Sequence, residues 1–187
     1  MKTPSRRVFL GRGLGVAHVA LASVMISPGA HAFAPKSASE ARRLSFNHLH
    51  TRERTALVYA WGDDFVPNAL AQLNHFLRDH YTGEVGQMDP ELYNLLHRVR
   101  LELGSVEPFH VISGYRSPAT NETLRTTRGG GVARRSLHMD GKAIDVRLPG
   151  VALKDLRDAA IGLKAGGVGF YQREDFVHID TGRVRNW

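Results

Sequence analysis

No cysteine occurs anywhere in the 187 residues. The chain therefore cannot be a disulfide scaffold, and any metal site it builds must use His, Asp and Glu rather than thiolates. Stability has to come from a packed core. With 42% hydrophobic and 23% charged residues, the composition can supply one, and it excludes a disordered tail or a collagen-like fibre. The length suits one ordinary domain with an appendage. Ten histidines are available as ligands.

The formal charge of +7 and a pI near 10.1 invite a nucleic-acid reading, but much of that charge sits in the first 32 residues. Ser5-Arg6-Arg7-Val8-Phe9-Leu10 precedes a modestly apolar stretch from Gly13 to Ile26, broken by Pro28 and Gly29 and followed by Ala30-His31-Ala32. This order of charged region, apolar region and small-residue cleavage site predicts an export signal over 1–32, cut near Ala32. The Ser-Arg-Arg-x-Phe-Leu run resembles a twin-arginine export motif, which implies a periplasmic destination. The apolar run is too short to span a bilayer, so no stable membrane anchor is expected after cleavage. Cleavage removes Lys2, Arg6, Arg7 and Arg12 and no acid, so 25 basic and 18 acidic residues become 21 and 18, a net charge of +3. No nucleic-acid partner is then expected, because such binding rests on many phosphate contacts.

Residues 33–43 form a polar lead-in, and the folded domain is expected over 44–187. Leu44–Leu49 and Thr55–Ala60 alternate as a pair of strands. Pro67 opens an amphipathic helix reaching about His80; Asp89-Pro90 caps a second, whose stripe of Leu92, Leu95, Leu96, Val99 and Leu103 ends at Gly104. Phe109–Ser113 is a short strand, Ser117-Pro118 starts a helix through Thr126, and Gly129–Gly131 stops it. Lys142–Leu148 alternates, with Ala143, Asp145 and Arg147 on one face. A helix over Leu153–Lys164 and two strands, Val168–Tyr171 and Phe176–Asp180, complete the pattern. The fold class is α+β: helices flanking a small, mostly antiparallel sheet that carries the polar residues.

Among those polar residues, His138 lies in a loop before a strand, Asp145 on one face of that strand, and His178 inside an apolar strand. Two imidazoles and a carboxylate are a three-ligand metal set with a fourth position left for water, whose pKa such a site brings toward 7. A single histidine is more often a satisfied core or surface residue, and His-x6-Asp alone recurs by chance; the neighbouring motifs give the set its force.

Four motifs follow in order: Ser113-Gly114-Tyr115-Arg116-Ser117; Ser136-Leu137-His138-Met139-Asp140-Gly141-Lys142-Ala143-Ile144-Asp145; Gly166-Gly167-Val168-Gly169-Phe170-Tyr171; and Phe176-Val177-His178-Ile179-Asp180-Thr181-Gly182. With the closing Arg185-Asn186-Trp187, they resemble the murein endopeptidase K family of exported zinc peptidases. That resemblance implies a single domain of the fold shared by D-Ala-D-Ala carboxypeptidases and the Hedgehog signalling domain. It also implies Zn2+ held by His138, Asp145 and His178, with Arg116 binding the substrate carbonyl or its oxyanion. Ser113, Tyr115, Arg134 and Arg135 are the expected substrate-binding residues; the acid-free basic run of Arg125, Arg128, Arg134 and Arg135 reads either as a solvated loop or as a clamp for stem-peptide carboxylates. The proton-transferring acid is either Asp180, which shares a face with His178, or Asp175, three residues before it; Glu174 is a third choice, and orienting His178 is an equally ordinary role for Asp180.

The implied activity is hydrolysis of peptidoglycan cross-links, at bonds between D-alanine and meso-diaminopimelate, with stem peptides as partner. The alternatives are a zinc carboxypeptidase or dipeptidase on the same scaffold and a non-catalytic cell-wall-binding protein.

Overall fold

The structure is a computed structural model that describes residues 40–127 and 132–187. The expected export signal, most of the lead-in and the glycine triplet lie outside the described residues. Eight strands form one sheet in the order β3-β2-β1-β4-β5-β7-β6-β8. They are β1 (Ala41–His48), β2 (Arg54–Trp61), β3 (Asp64–Phe65), β4 (Phe109–Ser113), β5 (Ala143–Arg147), β6 (Gly167–Tyr171), β7 (Phe176–Asp180) and β8 (Arg185–Asn186). Four helices accompany them: α1 (Pro67–Phe76), α2 (Pro90–Glu102), α3 (Pro118–Thr127) and α4 (Leu153–Gly162). The class is α+β, as the sequence implies. All pairings are antiparallel except β1 with β4 and β6 with β8.

The hairpin β1–β2 does not stand apart from the later strands: β1 pairs with β4, which carries the sheet on to β5 and β7. Because side chains alternate along a strand and face the same way across a pair, the register sorts the sheet into two faces. Leu44 and Phe46 of β1, Phe109 and Val111 of β4, Ile144 and Val146 of β5, and Val177 and Ile179 of β7 are all buried. They form one apolar face. α1 packs on β2, α2 on β1 and α4, and α4 on β6 and β7, so these helices supply the buried side chains Leu73, Leu92, Leu96, Val99 and Leu156. Each large apolar residue so buried contributes about 1.5–3 kcal/mol. Asp145, His178 and Gly169 occupy one row on the opposite face.

Helix ends differ from the expected ones for local reasons. α1 stops at Phe76 rather than His80 because the Leu77 carbonyl accepts from Tyr115 N at 2.8 Å, and the chain turns into a loop closed by Gly83 N donating to Asp79 O at 2.7 Å. α2 follows the sequence reading: Asp89 accepts from Glu91 N at 3.0 Å as N-cap, Pro90 follows, and Gly104 takes φ +59° beyond the end. α4 ends at Gly162, ahead of Lys164, whose φ of +49° is incompatible with helix.

Candidate metal centre and cleft

Cross-strand pairing places two of the three expected ligands. Asp145 of β5 lies directly opposite His178 of β7, so their side chains meet on the sheet face away from the core. His138 comes from the loop before β5. That loop is fixed to the rest of the site by Arg116 N donating to His138 O at 3.2 Å and by Gly141. Gly141 has φ +66°, and a Cβ there would meet Gln87 O at 1.9 Å, so only glycine fits the turn.

The three side chains converge through chosen atoms. His138 Nε2 lies 3.2 Å from Asp145 Oδ1 and 3.2 Å from His178 Nδ1, and His178 Nδ1 lies 2.9 Å from Asp145 Oδ1. A divalent ion with ligand bonds of about 2.0–2.1 Å spaces its tetrahedral ligands about 3.3 Å apart, so the three edges match a metal cage. The outer nitrogens fix the tautomers. His138 Nδ1 donates to Gly114 O at 2.7 Å, and His178 Nε2 donates to Asp180 Oδ2 at 3.0 Å. Each ring thus presents an unprotonated nitrogen inward, in the manner of metal-ligating histidines. Two lone pairs and a carboxylate facing one another at this range repel unless they share a cation. The donor set therefore fits a metal ion, and among the described residues no other His, Asp and Glu group has this geometry.

Electrostatics agree. Burial alone would raise the Asp145 carboxyl, but His138 and His178 outweigh it and hold its pKa far below the usual range. Where a proton rather than an ion lies between them, burial disfavours a charged His178, yet hydrogen bonds to Asp145 and Asp180 push its pKa up to about 9. For His138, burial dominates and lowers it. The cage attracts one positive charge between its walls.

The cage forms the floor of a cleft of about 320 Å³, within the range of small-molecule sites. Arg116 stands on one side, its Nη2 3.8 Å from Asp145 Oδ2 and its Nη1 donating to Asn121 Oδ1 at 3.4 Å. Its approach is set from behind. Ser117 N donates to the buried Asp79 carboxylate at 2.9 Å, and Ser117 Oγ accepts from Thr120 N at 3.2 Å, capping α3. Burial would raise Asp79, but hydrogen bonds from Thr120, Ser117 and Tyr81 hold its pKa down to about 2.

Of the expected substrate-binding residues, Arg135 lines the cleft together with Ser136 and Leu137. Arg134 is exposed nearby. Ser113 is buried at the end of β4, opposite Asp145. Tyr115 turns away, packing over Gly86 and donating to Glu84 at 3.0 Å; neither lines the cleft. The three acids near His178 are also sorted. Asp180 is fully buried, and its two oxygens accept from His178, Gly167 N, Gly182 N and both Nη atoms of Arg185. Asp175 is exposed and pairs with Arg147. Glu174 lines the cleft. Sequence reasoning assigned no separate role to Arg185, Trp187, Tyr171 and Phe176, which also line the cleft; Arg185 and Trp187 were legible only as part of the closing Arg-x-Trp.

Comparison with known proteins gives the family. The family model described as peptidoglycan L,D-endopeptidase MepK (Peptidase_M15_2) matches residues 36–187. The peptidoglycan L,D-endopeptidase MepK of Escherichia coli strain K12 is 43% identical over 175 residues, covering 93% of this chain and 94% of the relative. A protein named probable peptidoglycan L,D-endopeptidase MepK in Haemophilus influenzae is 39% identical over 152 residues, 81% of each. The matched span contains every residue of the cage and cleft, and the chain belongs to the MepK peptidase family, Peptidase_M15_2.

Proposed function

We propose that the chain is a zinc-dependent endopeptidase that hydrolyses peptide cross-links of peptidoglycan in the periplasm. The convergence of His138 Nε2, Asp145 Oδ1 and His178 Nδ1 at the floor of an open cleft carries this reading, and the family supplies the substrate class. The relatives are named for an L,D bond, so the bond proposed joins an L to a D centre, in place of the D-alanyl bond expected from the sequence.

Zinc bound at this set supplies a Lewis acid for the scissile carbonyl and lowers the pKa of water toward 7. The protein's own groups do the rest. Arg116, held by Asn121 and the Asp79–Ser117 contact, presents a fixed guanidinium to the charge developing on the carbonyl oxygen. Asp180, with both oxygens engaged, fixes the His178 ring and does not exchange protons with the cleft. Glu174, the carboxylate on the cleft wall, accepts the proton from the attacking water and returns it to the leaving amine. Arg135 and the exposed Arg134 meet the carboxylates of the stem peptides.

Digestion of purified cross-linked sacculi tests the proposal. Dimeric muropeptides should disappear with the zinc-loaded protein and persist after chelation or with His138→Ala. An unchanged muropeptide profile from protein shown to carry zinc would replace it with the cell-wall-binding alternative.

A further inference from the structure

The sheet edge beyond β7 is organised around two residues that neither the cage nor the proposed proton path uses. Trp187 is pinned to β6 in both directions: its N–H donates to Val168 O at 3.2 Å, and its carbonyl accepts from Phe170 N at 2.9 Å. The indole lies over Gly169, where a Cβ would meet the ring at 2.7 Å. Gly169 is the cross-strand neighbour of His178, so the missing side chain lets the indole reach the ligand; the two ring centroids are 5.4 Å apart. Indole Nε1 donates to Tyr171 Oη at 3.0 Å, and Tyr171 stacks on Phe176 at 4.6 Å. The result is an aromatic wall in the same cleft that Arg116 and Arg135 line. Although anchored at backbone, ring nitrogen and ring face, Trp187 remains 51% exposed.

Arg185 joins this wall to the cage. Its Nη1 and Nη2 donate to the two oxygens of Asp180 at 3.0 and 2.8 Å, and its guanidinium carbon lies 4.8 Å from the Trp187 ring centroid. Space for it depends on Gly167, where a Cβ would fall 2.2 Å from Arg185 Nη1. One planar group thus fixes the acceptor of His178 on its edge and the indole on its face, a combination that a lysine ammonium cannot reproduce.

We propose that Trp187 is a substrate-contacting residue whose open face receives an aliphatic part of an acidic peptide, its carboxylates directed to the arginine side, and that Arg185 is the positioning residue coupling this wall to the His178 ligand. The substrate part rests on the endopeptidase reading above; the coupling to the cage does not.

The full chain tests both parts, using Trp187→Ala, Trp187→Phe, Arg185→Ala and Arg185→Lys, with the exposed Asn186→Ala as a control in the same strand. Zinc affinity is measured by competition with a chromogenic chelator, and kcat and KM are measured on purified cross-linked muropeptide dimers. Trp187→Ala should raise KM about tenfold or more, with kcat and zinc affinity changed less than about threefold, the signature of lost uniform binding; Trp187→Phe should recover most of it. Arg185→Ala should weaken zinc binding by about 10–100-fold, and Arg185→Lys, which keeps the charge and guards against misfolding of the alanine variant, should recover it only in part. An unchanged KM for Trp187→Ala, or unchanged zinc affinity for a folded Arg185 variant, overturns the corresponding part. Emission from Trp187 in a Trp61→Phe background should change when dimers are added, and a flat signal also overturns the contact. Dimers that shift this emission without being cut would remove the endopeptidase reading and leave Trp187 as a binding residue.

Discussion

Replacing Asp180 by asparagine preserves the size of the side chain but removes the charge that five donors converge on. The amide keeps one accepting oxygen and makes the other position a donor, so either His178 or the Gly167 and Gly182 N–H groups meet a donor in place of an acceptor, and Arg185 keeps a partly buried charge without its counter-ion. Asp180→Asn should therefore lose zinc affinity by about 10–100-fold and activity with it. Glu174→Gln should behave differently, retaining zinc while kcat falls by about 10²–10⁴-fold, the usual weight of acid–base catalysis. Zinc competition and muropeptide turnover on the same preparations separate the two. A Glu174→Gln enzyme with full kcat would remove Glu174 from the proton path. The sequence left Asp180 with two roles because spacing shows only that i and i+2 share a strand face. What decides between them is how many donors surround its oxygens, and those come from Gly167, Gly182 and Arg185, whose convergence spacing does not reveal.

At the scale of elements, Arg116 depends on the start of α3. Asp79 leaves the end of the α1 segment, accepts from Ser117 N and Tyr81 N, and is almost completely buried. Asp79→Ala would strand the Ser117 N–H and loosen the helix start that follows Arg116. A loss of about 1–3 kcal/mol is expected, read as a lower urea midpoint, together with a kcat decrease at unchanged zinc affinity. If stability falls while kcat is kept, the Asp79 contact serves the fold alone. Its own stabilisation is present at neutral pH and fades only as pH falls from about 4 through about 2, since the folded pKa is the depressed one. α2 and the β1–β2 hairpin were legible because their signals are local: Asp89-Pro90 before a 3.6-residue apolar stripe, and two alternating runs joined by a short polar turn. β3 and β8 were not, since two residues carry no period. α1 was read as too long because Leu77 is claimed by Tyr115, a partner far along the chain.

For the molecule as a whole, the join between its first and second halves is the parallel pair β1–β4, which sequence patterning could not reveal because two helices intervene. His48 sits at that join, paired with Val111 and only 2% exposed. Its Nδ1 accepts from His50 N at 3.3 Å and Thr51 N at 3.4 Å, so the proton rests on Nε2, which is buried without a hydrogen-bond partner among the described residues. The ring touches Phe76 edge-on, and His50 and His80 stack beside it at 4.2 Å. Burial first, then His80 and His50, lower its pKa from 6.5 to about 4; Arg78 adds to the effect and Glu53 opposes it. Protonation would cost the two turn hydrogen bonds and place a charge against these neighbours. Between pH 4 and 6.5 the unfolded chain therefore binds the proton and the folded chain does not, so stability falls as pH drops through this window. The stability lost through His48 across this window is about 3 kcal/mol. Urea unfolding at fixed zinc from pH 7 to 4 should show this slope in the wild type and a shallower one in His48→Phe, with the difference curve confined to pH 4–6.5. Identical slopes would assign the acid sensitivity to other groups. Because β4 runs from His48's neighbour Val111 to Ser113, opposite Asp145, unfolding that begins at this join should release zinc in the same transition. A zinc-sensitive dye should therefore report the same midpoint as far-UV circular dichroism, and a cage that empties well before the sheet melts would show the two halves to be energetically separate.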